Sequence, residues 1–229
     1  MSYTFTIRAS ELQAVLLAAP KKDVRFYLNT VMFEFAPNGF LNLVATDGQR
    51  LHALQTYLPY EEGAPQVPAG TQVLVPEDAL RRVKIGARDV DGLTVTLEPN
   101  GAETWKVSIR QPNGLTLETV SIDGRWPDYK RLFGNSQSVL KYGEHAAGVT
   151  LDPRFTMDAY KAIGLLGGVK DPKDYAFLYH EDETQPVLVV AREFPHFVAL
   201  ISPRRSSAAG VYNSADIPEW VSPRVGEFA

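Results

Sequence analysis

The chain has 229 residues and a formal net charge of −4, from 23 Lys and Arg against 27 Asp and Glu, with 45% hydrophobic and 22% charged residues. That balance suits a globular chain with a real core, and it excludes a surface coated evenly with positive charge, so any nucleic-acid contact has to sit on one basic face. Cysteine is absent, which excludes disulfides and thiolate metal sites; no apolar run approaches the ~18 residues of a membrane span, and the opening MSYTFTIRAS lacks the charged and apolar regions of a secretory signal, so a cytoplasmic setting is expected.

Strand and helix signals come in one order, three times. Residues 3–8 alternate Thr with apolar side chains, a strand pattern, and Ser10 with Gln13 reads as a capping box ahead of the helical stripe Leu12, Val15, Leu16 and Ala19. Strands are predicted over 29–35 and 40–46, joined by the turn Pro37-Asn38-Gly39, and over 50–57 after Asp47-Gly48. A second unit opens with a strand at 71–75 and a helix whose first turn carries Pro76, Glu77 and Asp78. Strands over 93–98, 104–110 and 115–121 follow, punctuated by Asp91-Gly92, Asn100-Gly101 and Asn113-Gly114. The third opens at 147–151, has Asp152-Pro153 as helix cap and first residue, the stripe Phe155, Ala159, Ala162 and Ile163, and strands over 175–180, 187–192 and 197–202. The order is βαβββ each time, an α+β pattern. One helix covers one sheet face per unit, so the units must pack together to close a core. From Ser206 onward, Ser, Gly and Pro surround isolated Ile217 and Trp220, which reads as a flexible tail.

Motifs of catalysis are missing. The histidines His52, His145, His180 and His196 form no HExxH pair, so no metal site is expected, and there is no Walker sequence, no GxGxxG after a strand and no GxSxG elbow. Gly167-Gly168 follows a helix and reads as its C-cap. Asp47, Asp123 and Asp128 lie in turn contexts that suit local hydrogen bonding. No cofactor is expected, and neither is an enzyme.

Three ordered strings carry a resemblance: VRFYLN and then VATDGQRL, both within residues 23–51, and DGRWPDY within 121–134. Together they resemble the middle domain and following linker of the bacterial β sliding clamp, the ring that tethers DNA polymerase to its template. More weakly, VTLDPRFTMDAYKAI and PHFVALISPRR resemble the second half of that clamp's third domain. The resemblance implies a DNA-clamp fold of βαβββ half-domains with inner helices and outer sheets. It divides the chain into a complete clamp domain at 1–122, a linker at 123–146, a half-domain at 147–205 and a tail at 206–229, with the clamp's first domain and half of its third absent.

Clamp rings contain twelve half-domains, so three per chain implies a homotetramer, joined by sheet edges from the first and third units. A basic inner wall would be built from Lys21 and Lys22 after the first helix, Arg81, Arg82, Lys84 and Arg88 on and after the second, and Lys161 on the third, with Lys170 and Lys173 beyond. Such residues would touch phosphates of double-stranded DNA without reading bases. Polymerase and clamp loader would dock short apolar peptides in a groove lined by Thr46, Gly48, Gln49, Arg50, Leu51, Pro127, Leu132, Leu200 and Ser202. In that groove Leu51, Leu132 and Leu200 would form the apolar pocket, while Thr46 and Arg50 orient a polar peptide end. Gln49 and Ser202 depart from the residues frequent in clamps, His and Met. The alternative reading is a clamp-like module or decoy that binds clamp partners without encircling DNA.

Overall fold

The computed structural model describes residues 2–59, 65–83, 92–133, 149–169, 171–178 and 185–204. The first unit is β1 (Tyr3–Ile7), α1 (Ala9–Leu16), β2 (Thr30–Phe35), β3 (Phe40–Thr46) and β4 (Arg50–Tyr57). The second is β5 (Gln72–Pro76), α2 (Glu77–Leu80), β6 (Leu93–Asn100), β7 (Thr104–Arg110) and β8 (Thr116–Val120). Then come α3 (Pro153–Gly167), β9 (Ala176–Leu178), β10 (Val187–Val190) and β11 (Phe197–Ile201).

The helix ends follow local chemistry. Asp152 caps α3 by accepting from the Arg154 N–H at 2.9 Å, with Pro153 in the first turn, and Gly168 ends the helix at φ 62°, as the Asp-Pro and Gly-Gly signals predict. The start of α1 differs from expectation. Arg8 stands at the cap, and the Glu11 carboxylate accepts from its backbone N–H at 3.1 Å and its guanidinium at 2.7 Å. Gln13 is drawn away to the Val83 carbonyl at 3.3 Å. The second helix is a single turn of four residues.

The strands form two antiparallel sheets, one ordered β1-β6-β7-β8 and the other β5-β2-β3-β4-β11-β10-β9. The first two units exchange their opening strands: β1 pairs with β6, placing Ile7 opposite Leu93, and β5 pairs with β2, placing Val75 opposite Val31. Beyond β4 the larger sheet continues into the third group of elements through β11, with Leu54 opposite Phe197 and Leu51 opposite Leu200. That contact corrects one expectation. The outer edge of the first unit is not free for a second chain, because β11 already occupies it.

The third unit also lacks its predicted opening strand among the described residues: 149–151 are not in a strand. The physical reason lies in the exchange. An opening strand belongs to its sister unit's sheet, and no sister of the third unit occurs among the described elements.

Side-chain alternation gives the larger sheet two apolar faces. Phe33, Leu43, Leu54 and Val75 close with Val95, Leu97 and Ile109 of the smaller sheet on α1 (Leu12, Val15) and α3 (Phe155, Ala159, Ile163) in one core. Met32, Val44, Leu51, Leu74 and Leu200 face the other way and are covered by Trp126 and Tyr129. No helix among the described residues is long and apolar enough to cross a membrane.

His52 on β4 lies on the helix side, fully buried, with Nδ1 donating to the Ala14 carbonyl of α1 at 2.7 Å and Nε2 without a partner among the described residues. Burial holds its imidazole down at about 4, against the pull of that carbonyl. Because the unfolded chain keeps the ordinary value, the unfolded state binds more protons between the two. The stability this neutral ring contributes is therefore intact above pH 6.5 and is lost as pH falls towards 4, a swing of about 3 kcal/mol. Urea unfolding at pH 7, 5.5 and 4.5 is expected to show a steeper loss in wild type than in His52→Gln; parallel losses count against this assignment.

Candidate peptide groove and basic face

The ATDGQR turn between β3 and β4 is wired internally. The Thr46 hydroxyl donates to the Arg50 carbonyl at 2.6 Å and accepts from the Gly48 N–H at 3.0 Å. One Asp47 oxygen accepts from the backbone N–H groups of Gln49 at 2.9 Å and Arg50 at 3.0 Å. Gly48 has φ 86°, and a Cβ there would come within 2.8 Å of the Arg25 guanidinium, so both the backbone and its neighbour select glycine. Arg25 donates to the Asp47 carbonyl at 3.0 Å and pairs with Asp23 at 2.7 Å, and this arginine holds the Asp23 carboxyl down at about 2.

These bonds bring together seven of the nine predicted groove residues. Ser202 donates its backbone N–H to the Gln49 carbonyl at 2.7 Å, which seats the end of β11 beside the turn. Leu51 and Leu200 face each other across adjacent strands and are both buried. Pro127 is exposed and follows Trp126; Leu132 is 45% exposed and precedes Phe133. Trp126 and Phe133 both pack on the cluster that holds Leu51 and Leu200. The apolar floor is therefore Leu51 and Leu200, and Leu132 stands at its solvent side rather than inside it.

The polar roles fall out differently from expectation. Thr46 is used within the turn. The Arg50 guanidinium pairs with Asp47 at 3.1 Å, pairs with Asp158 of α3, and lies 4.7 Å over the Phe155 ring. It points to the third unit's helix and fastens that helix to β4.

Several residues at this site escaped the sequence reading. Trp126 and Tyr129 are the main cover of the outer apolar face, and the RWPDY string drew attention to its proline alone. The Tyr129 hydroxyl donates to Glu34 at 2.8 Å, Lys130 reaches the other Glu34 oxygen at 3.0 Å, and Asn42 donates at 2.9 Å. Burial would raise the Glu34 carboxyl, but these three donors outweigh it and hold the carboxyl below its ordinary range. Burial and the neighbouring carboxylate push the Tyr129 phenol well above its usual value. The linker is thus pinned across β2 and β3. Arg25 and Leu28, from the VRFYLN string, belong to the same locality.

The basic residues separate into two groups. Lys21 and Lys22 are exposed just beyond α1. Arg81 pairs with Glu77 and donates to the Ala19 carbonyl at 3.0 Å, which brings the end of α2 to the end of α1. Arg81 is largely spent on that strut, whereas Arg82 is exposed and only 3.9 Å from the exposed Asp78. Lys161 lies exposed on α3, 3.8 Å from Asp158. Lys84, Arg88 and Lys170 lie outside the described residues. Among the described residues, no group of three or more His, Asp and Glu side chains is placed to hold a metal ion.

No protein-family model matches the chain. Among curated proteins it is similar to the β sliding clamp of Pseudomonas putida KT2440, 28% identical over 151 residues, and to that of Pseudomonas aeruginosa PAO1, 29% identical over 150 residues. These matches cover 64% and 62% of this chain but only 38% and 37% of the relatives, so the chain spans little more than a third of the proteins it matches. Among solved structures it resembles the DNA polymerase III β subunit of Thermotoga maritima, with a TM-score of 0.63 and 17% identity, covering 90% of this chain and 66% of that one. The DNA polymerase sliding clamp of Pseudomonas aeruginosa gives 0.62 and 18%, covering 89% and 66%. The fold is that of the sliding clamps, and the chain is a partial relative of them.

The indole Nε1 of Trp126 has no hydrogen-bond partner among the described residues, so its contribution is apolar cover. Trp126→Ala is expected to destabilise by about 3–5 kcal/mol and Trp126→Phe by less than about 1.5 kcal/mol in chemical unfolding. Equal losses would show that the indole nitrogen matters and that the cover is not the main term.

Proposed function

We propose that the chain is a processivity factor of the sliding-clamp type: copies of it close around duplex DNA and hold a polymerase through the groove beside the ATDGQR turn. The observation that carries this reading is the seven-stranded sheet that runs unbroken from the first unit into the third, with α1 and α3 packed on one side of it. A sheet that continues across unit boundaries is how repeated units build a closed wall without exposed edges. In this reading residues 1–122 are a complete clamp domain, 147–205 a half-domain and 123–146 their linker, four chains form the ring, and the protein works in the cytoplasm.

The wall would be supplied by Lys21, Lys22, Arg82 and Lys161, with Arg81 in a supporting part and with Lys84 and Arg88, which lie outside the described residues, as further candidates. Contacts of this kind are weak, independent of sequence and salt-sensitive, which suits a protein that moves along its track. The groove would take an apolar peptide from the polymerase or the loader on the floor of Leu51 and Leu200, between Pro127, Leu132 and the turn formed by Thr46, Gly48, Gln49 and Arg50, with Ser202 at its end. The non-ring alternative draws its support from residues 149–151, which form no strand, and remains an outcome of the test.

Light scattering with particle imaging tests the ring. The expected result is a mass of four chains and a central hole wide enough for a duplex; one- or two-chain masses throughout the micromolar range favour the non-ring module. Binding to duplex DNA is expected to weaken steeply with salt, and Arg82→Glu combined with Lys161→Glu is expected to flatten that slope by roughly two counterions. For the groove, the exposed Leu132→Asp is the informative variant, because Leu51 is core. A fluorescent apolar peptide that binds wild type is expected to bind Leu132→Asp at least about tenfold more weakly. Equal binding would remove Leu132 from the groove.

A further inference from the structure

Each unit has two different sides. On one, opening strands are exchanged with a sister unit, as β1 and β5 are between the first two units. On the other stands the unit's last strand. The one contact between last strands among the described residues joins β4 to β11, antiparallel, over five residue pairs. Last strand meets last strand there, and exchange side meets exchange side between the first two units.

Two sides are left over among the described residues. The second unit leaves its last strand, β8, bonded only to β7; the third leaves its exchange side, with β9 at the sheet edge. These leftovers are of unlike kind. A head-to-tail contact would have to join a last strand to an exchange side, a pairing made nowhere among the described residues.

The register shows what β8 is missing. Matching the units by their exchanged strands, Ile7 to Val75, carries through the ladders: Val95 corresponds to Phe33, Ile109 to Leu43 and Leu117 to Leu54. Two residues earlier, Leu115 corresponds to His52. Under β11, Leu54 is 1% exposed and His52 0%; with no strand beyond β8 among the described residues, Leu117 is only half-buried and Leu115 is 62% exposed. The backbone of β8 is also open. Gln111 N–H donates to the Leu115 carbonyl and Ser121 N–H to the Trp105 carbonyl, so residues 115, 117, 119 and 121 bond inward to β7. The N–H and C=O groups of Thr116, Glu118 and Val120 therefore point out of the sheet edge. No lysine or proline blunts the strand, and Glu118 is its one charge.

We propose that β8 is a self-association edge: it pairs antiparallel with β8 of a second copy across a two-fold axis, continuing the four-stranded sheet to eight strands. The occupant is a second copy because the β4–β11 seam shows that last strands of these units accept each other, and because a two-fold contact needs like sides. If the ring reading above is right, on which the four-chain count rests, its chains alternate in two-fold pairs and do not follow head-to-tail. The β8 pairing itself does not depend on DNA.

The absence of cysteine makes the test direct. Single cysteines at Thr116, Glu118 and Val120 in turn, treated with a short bis-maleimide, are expected to give a covalent two-chain band for at least one position, since only a two-fold contact brings a residue beside its own copy. Glu118→Pro removes one outward N–H and leaves the β7 ladder intact. It is expected to weaken two-chain association at least about tenfold by sedimentation, with an unchanged far-ultraviolet dichroism spectrum. If Glu118→Pro misfolds, the cysteine series decides alone. An imaged ring with no cross-link at any β8 position overturns this inference and leaves the clamp reading standing. A β8-linked pair that never forms a ring does the reverse, and a strictly single-chain mass overturns this inference.

Discussion

A βαβββ unit of this chain cannot complete its own sheet. Its opening strand leaves to join a sister unit, and its sheet stays one strand short until the sister returns the favour. Everything else in the molecule follows from that exchange. It makes the first two units inseparable, since β1 and β5 each contribute a full ladder to the other's sheet. It also explains why residues 149–151 hold no strand among the described residues even though their sequence alternates as a strand should. The Thr150 carbonyl accepts from the Arg204 N–H at 2.8 Å just beyond β11, but no strand ladder forms there among the described residues, and alternation alone does not create one.

The second organising feature is a sheet with two apolar faces. The inner face of the larger sheet closes on the helices, and the outer face would be a large exposed patch without the linker. Trp126, Tyr129 and Phe133 roof it, and Glu34 holds the roof through Tyr129 and Lys130. The candidate groove is therefore the border where this roof stops and the ATDGQR turn begins. Its floor is continuous with a core, and only its rim is free to change partners. The basic residues sit across the sheet, on the helix side, where Arg81 ties the ends of α1 and α2 together. The candidate groove and the basic residues are thus on opposite surfaces of one wall.

Much of this was legible in the residues. Period-two alternation and turn residues placed the strands within one or two positions, and Asp152-Pro153 with Gly167-Gly168 bracketed α3. What could not be read was pairing. Nothing local in Tyr3–Ile7 says that its neighbour lies some ninety residues on, in β6, because register is a property of two strands. Side-chain direction was equally hidden. Arg50 sits in a string that resembles a binding motif, yet it spends its charge on Asp158 and the Phe155 ring, partners that lie over a hundred positions away. The cap of α1 was misplaced for a related reason: Ser10 has a good capping side chain, but Glu11 reaches back to Arg8 and settles the first turn two residues earlier. Trp126 was passed over because a lone tryptophan in a proline-rich linker gives no periodic signal of burial.

The join between β4 and β11 is fastened at three depths. Backbone ladders run through the middle, Arg50 bridges to α3 on the helix side, and Leu51 against Leu200 sits under Trp126 on the far side. A joint clamped through its whole thickness has no soft axis about which to bend. The ladder, the ion pair and the apolar contact together tie the described elements of the first and third units into one stiff slab.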